Sequence, residues 1–123
     1  MKYLGIDFGL KRVGLATSEG TMAAPWKVIT GKNFLELIDK IYTQASDFDK
    51  VVIGLPQGNM GKKVKQAIKI LQSKGLDILE ADETLSTKEA IRLMIELNIP
   101  KKKRVVSDDY SAAIILQKYL DSK

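Results

Sequence analysis

Gly5-Ile-Asp-Phe-Gly-Leu-Lys-Arg-Val-Gly-Leu-Ala-Thr-Ser18 is the stretch from which the rest of the chain is read. Apolar residues and glycines fill two runs, Lys2 to Asp7 and Arg12 to Ser18, separated by a tight turn through Phe8 to Lys11. That pattern predicts two strands joined as a hairpin. Gly9 and Gly14 let backbone approach backbone or ligand closely. Asp7 does not suit a plain hairpin, because it ends a strand that should be buried. A buried carboxylate is costly unless it is paired, hydrogen-bonded or bound to a metal. Asp7 therefore either braces the turn through its own backbone or presents charge to a cation or phosphate. In the second reading Lys11 and Arg12 lie across the turn to hold an anion.

Composition narrows the chemistry. With 123 residues the chain fits one domain, residues 1–123, long enough to bury a core without staples. It has neither cysteine nor histidine. Disulfides, thiolate metal sites, Cys nucleophiles and the usual general base are thereby excluded. Any catalysis must run on carboxylates, Lys, Arg, hydroxyls or bound metal. A net charge of +5 and a pI of about 9.4 favour polyanionic partners. No apolar run is long enough to cross a membrane, and Asp7 interrupts the first one, so the cytoplasm is the expected location.

Thr21 to Ile29 reads as a third strand, with Pro25 marking an edge or a bulge. Asn33 is a suitable N-cap for a helix that carries Phe34, Leu37, Ile38 and Ile41 on one stripe. Val51 to Leu55 is a short apolar run of the kind covered on both faces of a sheet. A loop over Pro56 to Lys63 leads to a helix with Val64, Ala67, Ile68 and Leu71 at the same spacing, ended by Gly75. In that loop, Gln57 to Gly61 either cradle phosphate or simply turn the chain. Leu76 to Ala81 is a further strand. Ser86-Thr-Lys-Glu89 forms a capping box for a helix to about Asn98, stopped by Pro100. After four consecutive cations, Lys101, Lys102, Lys103 and Arg104, a last helix runs from Asp108 to Asp121 and buries Ala112, Ile115, Leu116 and Tyr119. Trp26 is expected to pack rather than to stack on a base.

Meandering strands followed by alternating helix and strand units give an α/β fold, a mixed sheet with helices on both faces. Ligands collect at the carboxyl ends of the parallel strands in such sheets. The chain places acids there: Asp7 after the first strand, Asp82 and Glu83 after the last, and Asp108 and Asp109 at the start of the final helix. Acids before a helix also suit its positive end, but their convergence without histidine is the make-up of an oxygen-ligand site for Mg²⁺ or Mn²⁺.

These residues resemble the YqgF (RuvX-like) family along nearly the whole chain. The resemblance rests on Gly5-Ile-Asp-Phe-Gly, Lys11-Arg-Val-Gly-Leu-Ala, Val52-Ile-Gly-Leu-Pro, Asp82-Glu-Thr-Leu-Ser-Thr-Lys-Glu-Ala and Ala113-Ile-Ile-Leu-Gln-Lys-Tyr-Leu, in that order. Family members are bacterial RNase H-like nucleases connected with precursor 16S rRNA processing and also described as Holliday junction resolvase-like. The resemblance implies an RNase H-like fold with strand order 3-2-1-4-5. It also implies a metal-dependent carboxylate triad, which falls by motif on Asp7, Glu83 and Asp108, holding one or two Mg²⁺ or Mn²⁺ ions. Lys11, Arg12 and the Lys101–Arg104 run are expected at flanking phosphates. Two positions depart from the family pattern. Thr84 stands where the family has an arginine, and Gln57-Gly-Asn-Met-Gly-Lys-Lys lacks the aspartate and hydroxyl usual after Gly-Leu-Pro; both bear on substrate grip. The expected activity is phosphodiester hydrolysis at the 5′ end of precursor 16S rRNA, with structured RNA or branched DNA as partner, as a monomer or dimer. The rival readings are a four-way DNA junction resolvase, a non-catalytic RNA- or ribosome-binding module, and an actin-like or sugar-kinase ATPase. The last needs two lobes, for which this chain has too few residues.

Overall fold

The computed structural model describes residues 1–56, 58–82, 87–98 and 108–123. Strands β1 (Tyr3–Phe8), β2 (Arg12–Ser18), β3 (Ala24–Thr30), β4 (Lys50–Leu55) and β5 (Ile78–Asp82) form one sheet in the order β3-β2-β1-β4-β5. β1 and β2 are an antiparallel hairpin, β2 and β3 are antiparallel, and β4 and β5 continue the sheet parallel to β1. Helices α1 (Phe34–Ala45), α2 (Asn59–Ser73), α3 (Thr87–Glu96) and α4 (Asp108–Asp121) complete the described elements. This is the mixed α/β sheet expected from the order of the elements, in the strand order that the family resemblance implies.

Side chains alternate across a strand, and here the alternation sorts them by size. Leu4, Ile6 and Phe8 of β1, with Val13 and Leu15 of β2, bury against Leu37, Ile38 and Ile41 of α1 and Val64, Ala67, Ile68 and Leu71 of α2. The other face presents Tyr3, Ala16 and Val52, which pack on Ala112, Ala113, Ile115 and Leu116 of α4. Small residues there bring α4 very close. A Cβ at Gly5 would come within 2.7 Å of Leu116 Cβ and 3.0 Å of the Ala112 carbonyl oxygen, closer than packed atoms tolerate. Six consecutive residues of α4, Ala112 to Gln117, are buried. The single apolar stripe expected of this helix is thus wider, because α4 lies between the sheet and α3, whose Leu93 packs on Ile114.

Local signals explain most boundaries. Asn33 caps α1, its Oδ1 accepting the Glu36 amide at 2.9 Å. β3 lies at the sheet edge, and the register shifts at Leu15/Ala16, with Ala16 opposite Pro25, so Pro25 marks both an edge and a bulge. Gly75 at φ 97° and Asn98 at φ 54° follow α2 and α3 in the left-handed conformation that closes helices. Trp26 packs at a tilt on Phe48, 5.8 Å between ring centres. Two boundaries differ from expectation by three residues or more. β3 starts at Ala24 rather than Thr21, because Gln117 ties the preceding residues to α4. Gln117 Oε1 accepts the Ala23 amide at 2.8 Å, and Nε2 donates to the Thr21 carbonyl at 2.8 Å. α2 starts at Asn59, earlier than expected, with Gly61 in its first turn beneath the Pro56 carbonyl, where any Cβ would collide. The capping box at Ser86–Glu89 opens on residues outside the described ones.

Candidate active site

Because β1, β4 and β5 are parallel, their carboxyl ends share one edge of the sheet. Asp7 sits there, one residue from the end of β1 and partly buried. Its register partner on β2 is Gly14, and by alternation both belong to the face that receives α4. The start of α4 comes to this point. A Cβ on Gly14 would overlap the Asp108 carbonyl and lie 2.8 Å from the Asp109 nitrogen. Only glycine lets the backbone of α4 lie so close to β2, beside Asp7.

Arg12, two residues before Gly14 and on the same face, completes the arrangement. Its Nε meets Asp108 Oδ2 at 3.2 Å, with the Arg12 and Asp108 side chains 63% and 29% exposed. From the sequence, Arg12 is expected at a phosphate; in the structure its guanidinium instead engages the carboxylate that the family motif marks as a metal ligand. Hydrogen bonds hold the turn beneath it: the Gly9 amide donates to the Arg12 carbonyl at 3.0 Å, and the Gly31 amide to the Lys11 carbonyl at 3.2 Å. Lys11 itself is exposed at the turn. Asp108 and Asp109 occupy the first turn of α4, where the helix dipole favours negative charge.

The structure therefore brings Asp7, Arg12 and Asp108 to one edge with Lys11 beside them. Glu83, the third acid of the expected triad, follows Asp82 at the end of β5 and lies outside the described residues, as do Lys101, Lys102, Lys103 and Arg104. Among the described residues no group of three metal-ligating side chains forms. Asp7 and Asp108 nevertheless fit a hard divalent cation, being oxygen donors delivered by two packed elements in a chain without histidine or cysteine. Sequence reasoning missed the contribution of Gln117, a polar residue within an apolar helical stretch. Its third bond, from Nε2 to Asp121 Oδ1 at 3.0 Å, satisfies the buried amide.

Comparison with known proteins gives concordant results. The family model described as "RuvX: Holliday junction resolvase" matches residues 1–122. A protein of Acetivibrio thermocellus named "Putative pre-16S rRNA nuclease" is 36% identical, covering 100% of this chain and 97% of its own length. A Bacillus thuringiensis protein of the same name is 37% identical with both chains fully covered. Among solved structures, the fold is similar to the fowlpox virus Holliday junction resolvase (TM-score 0.67, 15% identity, 99% of each chain). It is also similar to RuvC of T. thermophilus in complex with a Holliday junction substrate (TM-score 0.63, 18% identity, 99% of this chain and 94% of that one). With its full-length relatives, its resolvase-like sheet and the family match over all but the last residue, this chain belongs to the RuvX family of nucleases.

Proposed function

We propose that this chain hydrolyses phosphodiester bonds in structured nucleic acid, with the 5′ region of precursor 16S rRNA as its substrate. The observation that carries this reading is the approach of α4 to Gly14, which sets Asp108 beside Asp7 at the carboxyl edge of the sheet. The relatives named for pre-16S rRNA favour that substrate. Asp7, Asp108 and, after β5, Glu83 are the ligands of one or two Mg²⁺ or Mn²⁺ ions in this reading. Such ions would supply Lewis acidity and lower the pKa of water, so that hydroxide is available to attack phosphorus at neutral pH.

The chain's own residues do the rest. Asp7 is fixed by the β1–β2 ladder and Asp108 by the seated helix, so the donors are positioned before substrate arrives. Arg12 orients Asp108 and offsets part of the repulsion between neighbouring carboxylates. Lys11 and the Lys101–Arg104 run contact flanking phosphates, which position a nucleic acid without reading its bases. RNA shape then dominates selection.

The deciding experiment is a cleavage assay on precursor 16S rRNA and on a four-way DNA junction, each with Mg²⁺, with Mn²⁺ and with EDTA. Cleavage of the precursor that requires metal is the expected result. Junction cleavage alone would transfer the activity to branched DNA. Undiminished cleavage in EDTA would overturn the carboxylate–metal mechanism.

A further inference from the structure

The solvent face of α2 has a charge pattern that its own stability does not explain. Lys62, Lys65 and Lys69 lie at i, i+3 and i+7, with Lys63 beside them, and all four are exposed. From Pro56 to Leu76 the chain contains no acidic residue. Among the described residues, none of these lysines pairs with a carboxylate. α1 and α3, by contrast, carry balanced i,i+4 pairs, Glu36–Lys40 and Arg92–Glu96. Like charges three and four residues apart disfavour a helix. Lys62 and Lys63 near the amino end also oppose its dipole. α2 has no side-chain N-cap and no first-turn acid to compensate. Local rules broken in this concerted way mark a functional surface.

The position of the face says what it meets. Leu55 ends β4 one strand from β1, and α2 starts four residues later, so its amino end lies at the carboxyl edge with Asp7. Contacts confirm the proximity. Lys63 Nζ sits 4.9 Å from the centre of the Phe34 ring, and Phe34 packs on Phe8, the neighbour of Asp7, at 5.7 Å. The opposite stripe of α2 is locked in the core by Val64, Ala67 and Leu71. Lys62 to Lys69 therefore present a rigid row about 10 Å long at 1.5 Å per residue, leading away from the acids.

We propose that this row is a track for the phosphodiester backbone of a duplex arm, which enters the carboxylate edge at one end and runs along α2. This inference rests on the nuclease reading and adds the surface that holds the substrate's flank. Lysines act here as point charges, so the track follows backbone rather than sequence and serves RNA and DNA duplexes alike.

The test uses an Asp7→Asn chain to prevent cleavage and measures binding over a range of KCl concentrations. Probes are a hairpin RNA duplex and the arms of a four-way DNA junction. In that background Lys62→Gln/Lys65→Gln/Lys69→Gln is compared with Lys2→Gln/Lys27→Gln/Lys123→Gln, which removes the same charge away from the track. The α2 variant should lower the slope of log K against log salt by about 2–3, since each duplex phosphate contact contributes about 0.9. The control should change it by less than about 1 on the same scale. The α2 variant should melt no lower than its parent, because the substitution relieves repulsion. Equal slopes in the two variants would overturn the track while leaving the nuclease reading in place. A parent that binds neither probe at any salt would overturn both. The same loss of slope on both probes is expected of a track that follows backbone alone, and a loss confined to one probe would overturn that part of the proposal.

Discussion

At the scale of single residues, the choice between Asp108 and Asp109 is the sharpest. Asp108→Asn keeps side-chain shape and removes the charge that would hold metal. It should lower cleavage at least about a hundredfold, since a catalytic ion supplies several kcal/mol of charge stabilisation, with circular dichroism unchanged. Asp109→Asn should cost little, and the reverse pattern would shift the third ligand by one position. Arg12→Gln removes a partly exposed ion pair with Asp108, so urea denaturation should show a loss no greater than about 1 kcal/mol. Asp7 could be read from sequence because a carboxylate at the end of an apolar strand demands a reason. Asp108 and Asp109 could not be told apart by periodicity, and the structure explains why. α4 is buried around its middle from Ala112 to Gln117, so apolar stripes continue from both acids. What favours Asp108 is the family motif alone, counted back from Ile115 to Leu120, and local pattern does not encode it.

Between elements, the decisive interface is α4 on the β1–β2 hairpin. Gly14→Ala puts a methyl group where the Asp108 carbonyl lies, and backbone, unlike a flexible side chain, cannot step aside locally. The expected loss is about 1–3 kcal/mol of stability from overpacking. Cleavage should fall by about a hundredfold through ~1 Å of misplacement; wild-type activity with wild-type melting would refute this account. Gln117→Leu leaves the Ala23 amide and the Thr21 carbonyl without their partner. The buried Ala23 amide, left unsatisfied, costs about 1–3 kcal/mol, to be measured by denaturant unfolding. The hairpin, the Asn33 cap and the core stripes of α1 and α2 were legible because each follows from a local rule. The early start of α2 was not, because Gly61 reads as a loop residue until the Pro56 carbonyl is seen above it. The closeness of α4 was half legible: Gly14 signals that something approaches, without saying what.

For the molecule as a whole, the mixed sheet followed from the succession of hairpin and crossover units, its strand order came from the family resemblance, and size sorting gave the two faces different helices. Two parts of the expected site, Glu83 and Lys101–Arg104, lie outside the described residues, so their roles rest on motif and composition. Stability should be insensitive to pH from about 6 to about 9, as the chain lacks the one side chain that ordinarily titrates there. Lys50 is held above the ordinary lysine value of 10.5, chiefly by its hydrogen bond to Asp77 and then by attraction to the same carboxylate, against desolvation. A raised pKa means that this stabilisation is complete below pH 10.5 and fades as pH rises through the folded value. Thermal melts across alkaline pH check the sign, and a loss on acidification alone would contradict it. The seam between α4 and the hairpin also times the birth of the enzyme. At ~5–20 residues per second, Asp7 leaves the ribosome roughly 5–20 s before Asp108, and in that interval the Gly5–Gly14 groove has no helix to fill it. A nuclease translated amid ribosomal RNA thus gains the approach of Asp108 to the β1–β2 hairpin only after α4 has emerged and docked.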